Sequence, residues 1–145
     1  MAVTHTLYGL GIEKIAEQSI DWINDTIEIA LCTNSYTPLQ DTHEFFDDIT
    51  NEVVGTGYTA FGETLGTKTI TYDAGSNEVR FDAADVTWSS STITARYAII
   101  YKNVSDTAAS SPLIGWIDFD GDEVSTNGDF TITFATNSVF KITVT

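Results

Sequence analysis

The last third of this 145-residue chain is almost continuously β-forming, and that constrains the fold more than any other feature. Ile93-Thr-Ala-Arg-Tyr-Ala-Ile-Ile-Tyr101, Pro112-Leu-Ile-Gly-Trp-Ile-Asp-Phe119 and Phe130-Thr-Ile-Thr-Phe134 follow one another across short polar links. β-Branched and aromatic residues of this density suit a pleated, half-buried surface. The apolar run Tyr97–Tyr101 predicts a strand buried on both faces. In the last segment Phe130, Ile132 and Phe134 alternate with Thr131 and Thr133, the period of a strand with one face in the core.

Upstream, the pattern is mixed. Leu7, Leu10, Ile15, Ala16, Ser19 and Trp22 share one helical face against Glu13, Lys14 and Glu17. Gly9 and Gly11 weaken the first turn, so the helix is expected at Gly11–Ser19. Ile27–Thr33 reads as a strand. Asn34–Gly66, with Pro38, several Asp residues and four glycines, reads as a long irregular excursion with a helical turn near His43–Asp48. Lys68–Tyr72 and Glu78–Phe81 flank Asp73-Ala-Gly-Ser-Asn77 and predict a hairpin. Val86–Trp88 is expected as a short strand separate from Ile93–Tyr101. Asp129–Ala135 and Val139–Val144 are expected to pair through the Thr136-Asn-Ser138 link. The fold class that follows is mainly β: an antiparallel sandwich or partly closed, jelly-roll-like barrel with one N-terminal helix, in a single domain over residues 1–145.

Composition narrows the function. Twenty-one acids against six bases give a formal charge of −15. The bases Lys14, Lys68, Arg80, Arg96, Lys102 and Lys141 form no stripe, which disfavours nucleic acid and anionic membrane as partners. An acidic surface gives solubility. Cys32 lies in Ile27-Glu-Ile-Ala-Leu-Cys32 and reads as a small core residue; alone, it forms no internal disulfide. Met1-Ala-Val-Thr-His-Thr lacks the basic start and apolar core of a signal peptide, and no apolar run approaches the ~20 residues of a membrane span. The triplets at Asn24 and Asn103 are read as chance acceptors without a secretion signal.

No constellation of side chains announces a reaction. His5, His43 and Cys32 stand at unrelated spacings, which fit neither a zinc site nor a nucleophile with its base. Asp118, Asp120 and Asp122, followed by Glu123 and Asp129, suggest a calcium loop. Gly121 falls at the fourth position, whereas that loop needs glycine at the sixth, so a solvated turn leaving a strand is the simpler expectation. Asp47, Asp48, Asp82 and Asp85 read as turn carboxylates. Gly55-Thr-Gly57-Tyr-Thr-Ala60 lacks the strand–turn–helix context of a dinucleotide site. Trp22, Trp88 and Trp116, with Tyr8, Tyr36 and Tyr58, could form a sugar-stacking platform, but core or subunit packing explains them more simply. No catalytic residue, metal ligand or cofactor is assigned, and the chain is not read as an enzyme.

Several segments, in order, resemble a family of small virion proteins of tailed bacteriophages. They are Leu7-Tyr-Gly-Leu-Gly11, Ile20–Leu31, Thr42–Ile49, Phe81–Trp88, Ala98–Tyr101, Ser111–Ile114, Ile117–Phe119 and Asn127–Ile132. The resemblance implies a head decoration, or cement, protein: a homotrimer that binds the major capsid protein on the outer head lattice, assembled in the host cytoplasm and located in the virion. Met1–Leu7 and the 34–66 excursion are the expected contact elements, since assembly contacts often come from termini and loops on a rigid scaffold. A tail, fibre-base or baseplate component, and a carbohydrate-binding module on the particle surface, are the alternatives.

Overall fold

Ile27, Ile29 and Leu31 point to one side of their strand, and Ala30 and Cys32 to the other, yet all five are fully buried. A strand apolar on both faces must lie between two covering layers. The computed structural model, which describes residues 3–134 and 138–145, supplies both.

Among the described residues nine regular elements follow in order: β1 (Thr4–Leu7), α1 (Gly9–Ala16), β2 (Ile27–Cys32), β3 (Glu63–Thr64), β4 (Thr69–Asp73), β5 (Glu78–Asp82), β6 (Val86–Lys102), β7 (Leu113–Ile132) and β8 (Phe140–Thr143). Short 3-10 turns occur at Phe46–Asp48 and Ala108–Ser110. The strands form a five-stranded sheet, β1-β7-β6-β2-β3, and a three-stranded sheet, β4-β5-β8, antiparallel throughout. The fold is thus mainly β and consistent with a sandwich; the two sheets do not close into a barrel.

The first face of the large sheet carries Ile29, Leu31, Ala98, Ile100 and Ile117, which share a core with Phe81 and Phe140 of the small sheet. Trp22 closes this core from the chain after α1, its ring edge-on to Phe81 at 5.6 Å. The second face carries Ala30, Cys32, Ile99, Tyr101 and Leu113, covered by Tyr8, Tyr36 and Phe46. Each fully buried side chain of this size contributes on the order of 2 kcal/mol from removal of apolar area from water.

The 34–66 excursion is therefore a lid, fastened by polar contacts. Glu52 accepts hydrogen bonds from the Tyr58 hydroxyl and the Phe61 amide, both at 2.7 Å, and Tyr58 in turn accepts one from the Leu31 amide. Tyr101 donates to Glu28 at 2.8 Å and lies 2.7 Å from the Phe61 carbonyl. The expected turn is present at Phe46–Asp48, where the Asp48 carboxylate accepts the Glu44 and Phe45 amides. Those bonds, Glu44's first, hold Asp48 below the usual carboxylate range.

Some expected elements form differently. The helix begins at Gly9 because Gly11 lets it press on β7: a Cβ there would lie 2.5 Å from the Leu113 carbonyl oxygen. It ends at Ala16, and Gln18 follows in the left-handed region at φ 64°. Val86–Trp88 and Ile93–Tyr101 belong to a single strand, β6. The last two strands do not pair with each other. Asp129–Ile132 is the end of β7, with Phe130 opposite Trp88, whereas Phe140 of β8 lies opposite Phe81 of β5. Alternation reveals which side chains face inward, and both segments do; it does not say which strand lies alongside. Ala135, the last residue of the expected strand, and Thr136 and Asn137 of the expected link lie outside the described residues.

Two predictions follow from the lid. Gly62 sits at φ 83° with its Cβ position only 2.0 Å from the Ile29 carbonyl oxygen. Gly62→Ala should lower unfolding free energy by at least ~2 kcal/mol, from left-handed strain plus displacement of a central strand. Burial raises the Glu52 pKa above its ordinary value, against the opposing bonds from Tyr58 and Phe61. The folded state therefore holds this proton more tightly than the unfolded chain, and stability declines as pH rises through that window. In denaturant titrations, Glu52→Gln should gain stability relative to the parent between pH 4 and pH 7; a pH-independent difference would contradict this.

Candidate functional site

β7 is longer than its neighbours, and its sequence explains how it bends. Between Asp118, opposite Tyr97, and Glu123, opposite Ala95, β7 has four residues where β6 has only Arg96. The excess forms a bulge at Phe119-Asp-Gly-Asp122, with Asp120 at φ 65°. The Asp118 carboxylate accepts the Asp120 amide at 2.8 Å and receives the Arg96 guanidinium at 2.6 and 3.3 Å. The second nitrogen of that guanidinium lies 3.9 Å from Asp120, while Asp122 accepts a bond from the Asn34 amide group. The Arg96 guanidinium and the Asp120 amide hold Asp118 below the usual carboxylate range despite the opposing effect of burial. The cation of this acidic cluster is a residue of the chain itself. Among the described residues, no three His, Cys, Asp or Glu side chains converge as a metal site. The expected turn leaving the strand is instead a bulge within it.

Beyond the bulge, polar side chains replace missing ladder bonds. Ser91 and Ser125, both buried, meet through their hydroxyls at 2.7 Å; Ser91 also lies 3.1 Å from the Gly128 carbonyl, and the Ile93 amide donates to Ser125. The outer edge of β6 here is covered: the Thr92 amide donates to the Thr56 carbonyl, and Gly55 and Gly57 bring that turn against the strand. Gly57, at φ 79°, has its Cβ position 2.8 Å from the Ser91 Cα. These glycines serve close backbone approach.

The outer edge of β7 is different. β1 pairs with it only over Gly115–Asp118. From Phe119 to Ile132, among the described residues, no strand lies against that edge. Beside it is a cavity of about 450 Å³ lined by Val3, Ile117, Phe119, Val124, Phe130 and Ile132, with His5, Glu123 and Asp129 adding polar groups. A second cavity, of about 670 Å³, shares Val3 and His5 and reaches Val139, Phe140 and Lys141. An open strand edge beside a groove of mixed polar and apolar lining is suited to an extended segment that adds as another strand, with its side chains entering the groove. The nearby carboxylates favour a basic segment.

Most of the other sequence candidates have structural partners; the buried Asp82 Oδ1 and Trp88 Nε1 have none among the described residues. His5 donates from Nδ1 to the Val139 carbonyl at 2.6 Å and meets Phe140 edge-on. His43 bonds through Nδ1 to the Tyr36 hydroxyl at 2.8 Å, and Tyr36 meets Tyr8 at 2.9 Å. Burial pushes both phenols well up, and does the same to the Cys32 thiol. Trp22, Trp88, Tyr8 and Tyr36 are buried and Trp116 half-buried, with Trp116 4.7 Å from Tyr8; packing accounts for the aromatic residues. Asp85 accepts the Phe134 amide where β7 ends. Splitting β7 into two segments hid its open edge from sequence reasoning. The only hint was the β-compatible Val124-Ser-Thr126 between them.

Comparison with known proteins returns no matching family model, no matching curated protein and no matching solved structure.

Arg96→Gln should leave Asp118 and Asp120 without their internal cation. The variant should melt at a lower temperature, and millimolar Ca²⁺ should raise its midpoint while leaving the parent unchanged. A parent protein stabilised by Ca²⁺ would show that Arg96 does not satisfy the cluster.

Proposed function

We propose that this chain is a structural component of a tailed-bacteriophage particle: a decoration protein that binds the major capsid protein on the outer head lattice as a symmetric homo-oligomer. The observation that carries the reading is the ordered resemblance of segments from Leu7 to Ile132 to small virion proteins. The architecture is compatible with that role. A sheet covered on both faces makes a stiff body, and the open β7 edge with its acid-rimmed groove would accept a basic extended arm of a capsid subunit. Met1–Leu7 remains a contact element in this reading because β1 borders that groove.

The 34–66 segment has a narrower role than a free loop would. Tyr36, Phe46, Val53 and Leu65 are buried, so only its exposed points, such as Leu39 and Val54, are available for contact. Replacing the whole segment would uncover the core.

The test is the copy number of this polypeptide per purified virion, by quantitative mass spectrometry against the major capsid protein. Hundreds of copies are expected. A few to some dozens would move the protein to the tail or fibre apparatus, and absence from particles would overturn the reading.

A further inference from the structure

The small sheet has an apolar face longer than the core it covers. Across β4, β5 and β8 the register places Ile70, Phe81 and Phe140 side by side, and then Tyr72, Val79 and Ile142. Direct cross-strand partners project from the same face, so these six side chains form one surface. Its inner part is core: Phe81 and Phe140 are 5% and 2% exposed. Toward the hairpin tip the cover runs out. Val79 and Ile142 are half-buried, while Ile70, Tyr72 and Val144 are 44%, 58% and 50% exposed. Val144 continues the alternation of Phe140 and Ile142, and its amide is tied to the Asn77 carbonyl at 2.8 Å. This end of the sheet is therefore ordered, with an uncovered continuation of the hydrophobic core among the described residues.

The charge distribution bears on the choice of occupant. Residues 68–82 and 138–145, which hold the small sheet, contain Asp73, Glu78 and Asp82 against Lys68, Arg80 and Lys141. They cancel, so the whole formal charge of −15 belongs to the rest of the molecule. On the sheet's opposite face four of these charges pair with one another. Arg80 binds Asp73 at 2.9 Å and Glu78 at 3.0 Å, and Lys141 binds Glu78 at 2.8 Å. Two copies of so acidic a chain repel each other over most possible approaches. The small sheet is a region where they can meet without opposing net charge, and it carries the exposed apolar surface that would favour contact. A strongly basic partner would find little field here and would be drawn to the acidic remainder.

We infer that the overhanging face of β4-β5-β8, centred on Tyr72 and including Ile70 and Val144, is the surface through which copies of this chain associate. The inference gives a location to the homo-oligomer in the reading above. It is tested on purified protein without particles, so it can fail while the copy-number result stands.

Sedimentation equilibrium over a concentration series provides the test. The parent chain should form a discrete oligomer that tightens as added salt screens repulsion between the acidic bodies. Tyr72→Asp should shift it to monomer with unchanged far-UV circular dichroism. Val144→Asp, near the end of the sequence and outside the core, should do the same and decides the matter if Tyr72→Asp fails to fold. Val124→Asp, in the β7 groove, should leave assembly intact. A monomeric parent would overturn the inference and leave this face to a partner of different sequence. Assembly that survives both sheet variants, dissociates with Val124→Asp, or falls apart on adding salt would also overturn it.

Discussion

Everything in this molecule depends on the antiparallel pairing of β6 with β7. Together they form the middle of the large sheet, with β2 on one flank and β1 on the other, and both faces of their paired centre are apolar. A pair buried in this way cannot satisfy its backbone groups with water, so the ladder must be nearly complete or its gaps must be filled internally. The serine pair in the distal ribbon and Arg96 at the bulge act at such interruptions. They allow a twenty-residue strand to bend without leaving the sheet. Bulges commonly produce such bends and increase local twist.

The polar groups inside the fold illustrate the same economy. Glu52, Tyr58 and Tyr101 make bonds that tie the 34–66 segment to β2 and β6. Placing a carboxylate there opposes its ionisation, yet it gives the lid a defined position that apolar contact alone would specify weakly. The small sheet shows the reverse arrangement: it keeps its ion pairs on the outer face and, among the described residues, leaves part of its apolar face without cover.

Much of this architecture was legible in residue order. The apolar run at Tyr97–Tyr101 announced a strand buried on both faces, and Asp73–Asn77 announced its hairpin because turn chemistry is local. Phe130, Ile132 and Phe134 also face inward as their alternation required. What remained hidden was non-local. Ser89–Thr92 looks like a loop because its hydroxyls compete for backbone bonds, and its pairing with Ser125 and Gly128 of the opposite strand makes it part of β6. The acidic run at Asp118 suggested a metal because its cation, Arg96, is 22 positions away in sequence. The open edge of β7 is a property of which strands are adjacent, and no single segment contains that information.

The two ends of the fold meet late. β1 is completed by β7, and the His5 ring reaches a carbonyl 134 residues away. During synthesis the apolar β2 strand emerges long before β6 can cover its edge. A topology dominated by such distant pairings folds slowly, on the order of milliseconds to seconds for comparable β domains, because loop closure precedes its reward. Ribosome-bound chains ending before residue 113 would expose an incomplete, aggregation-prone sheet. Such chains are exposed to aggregation until most of the large sheet has been translated.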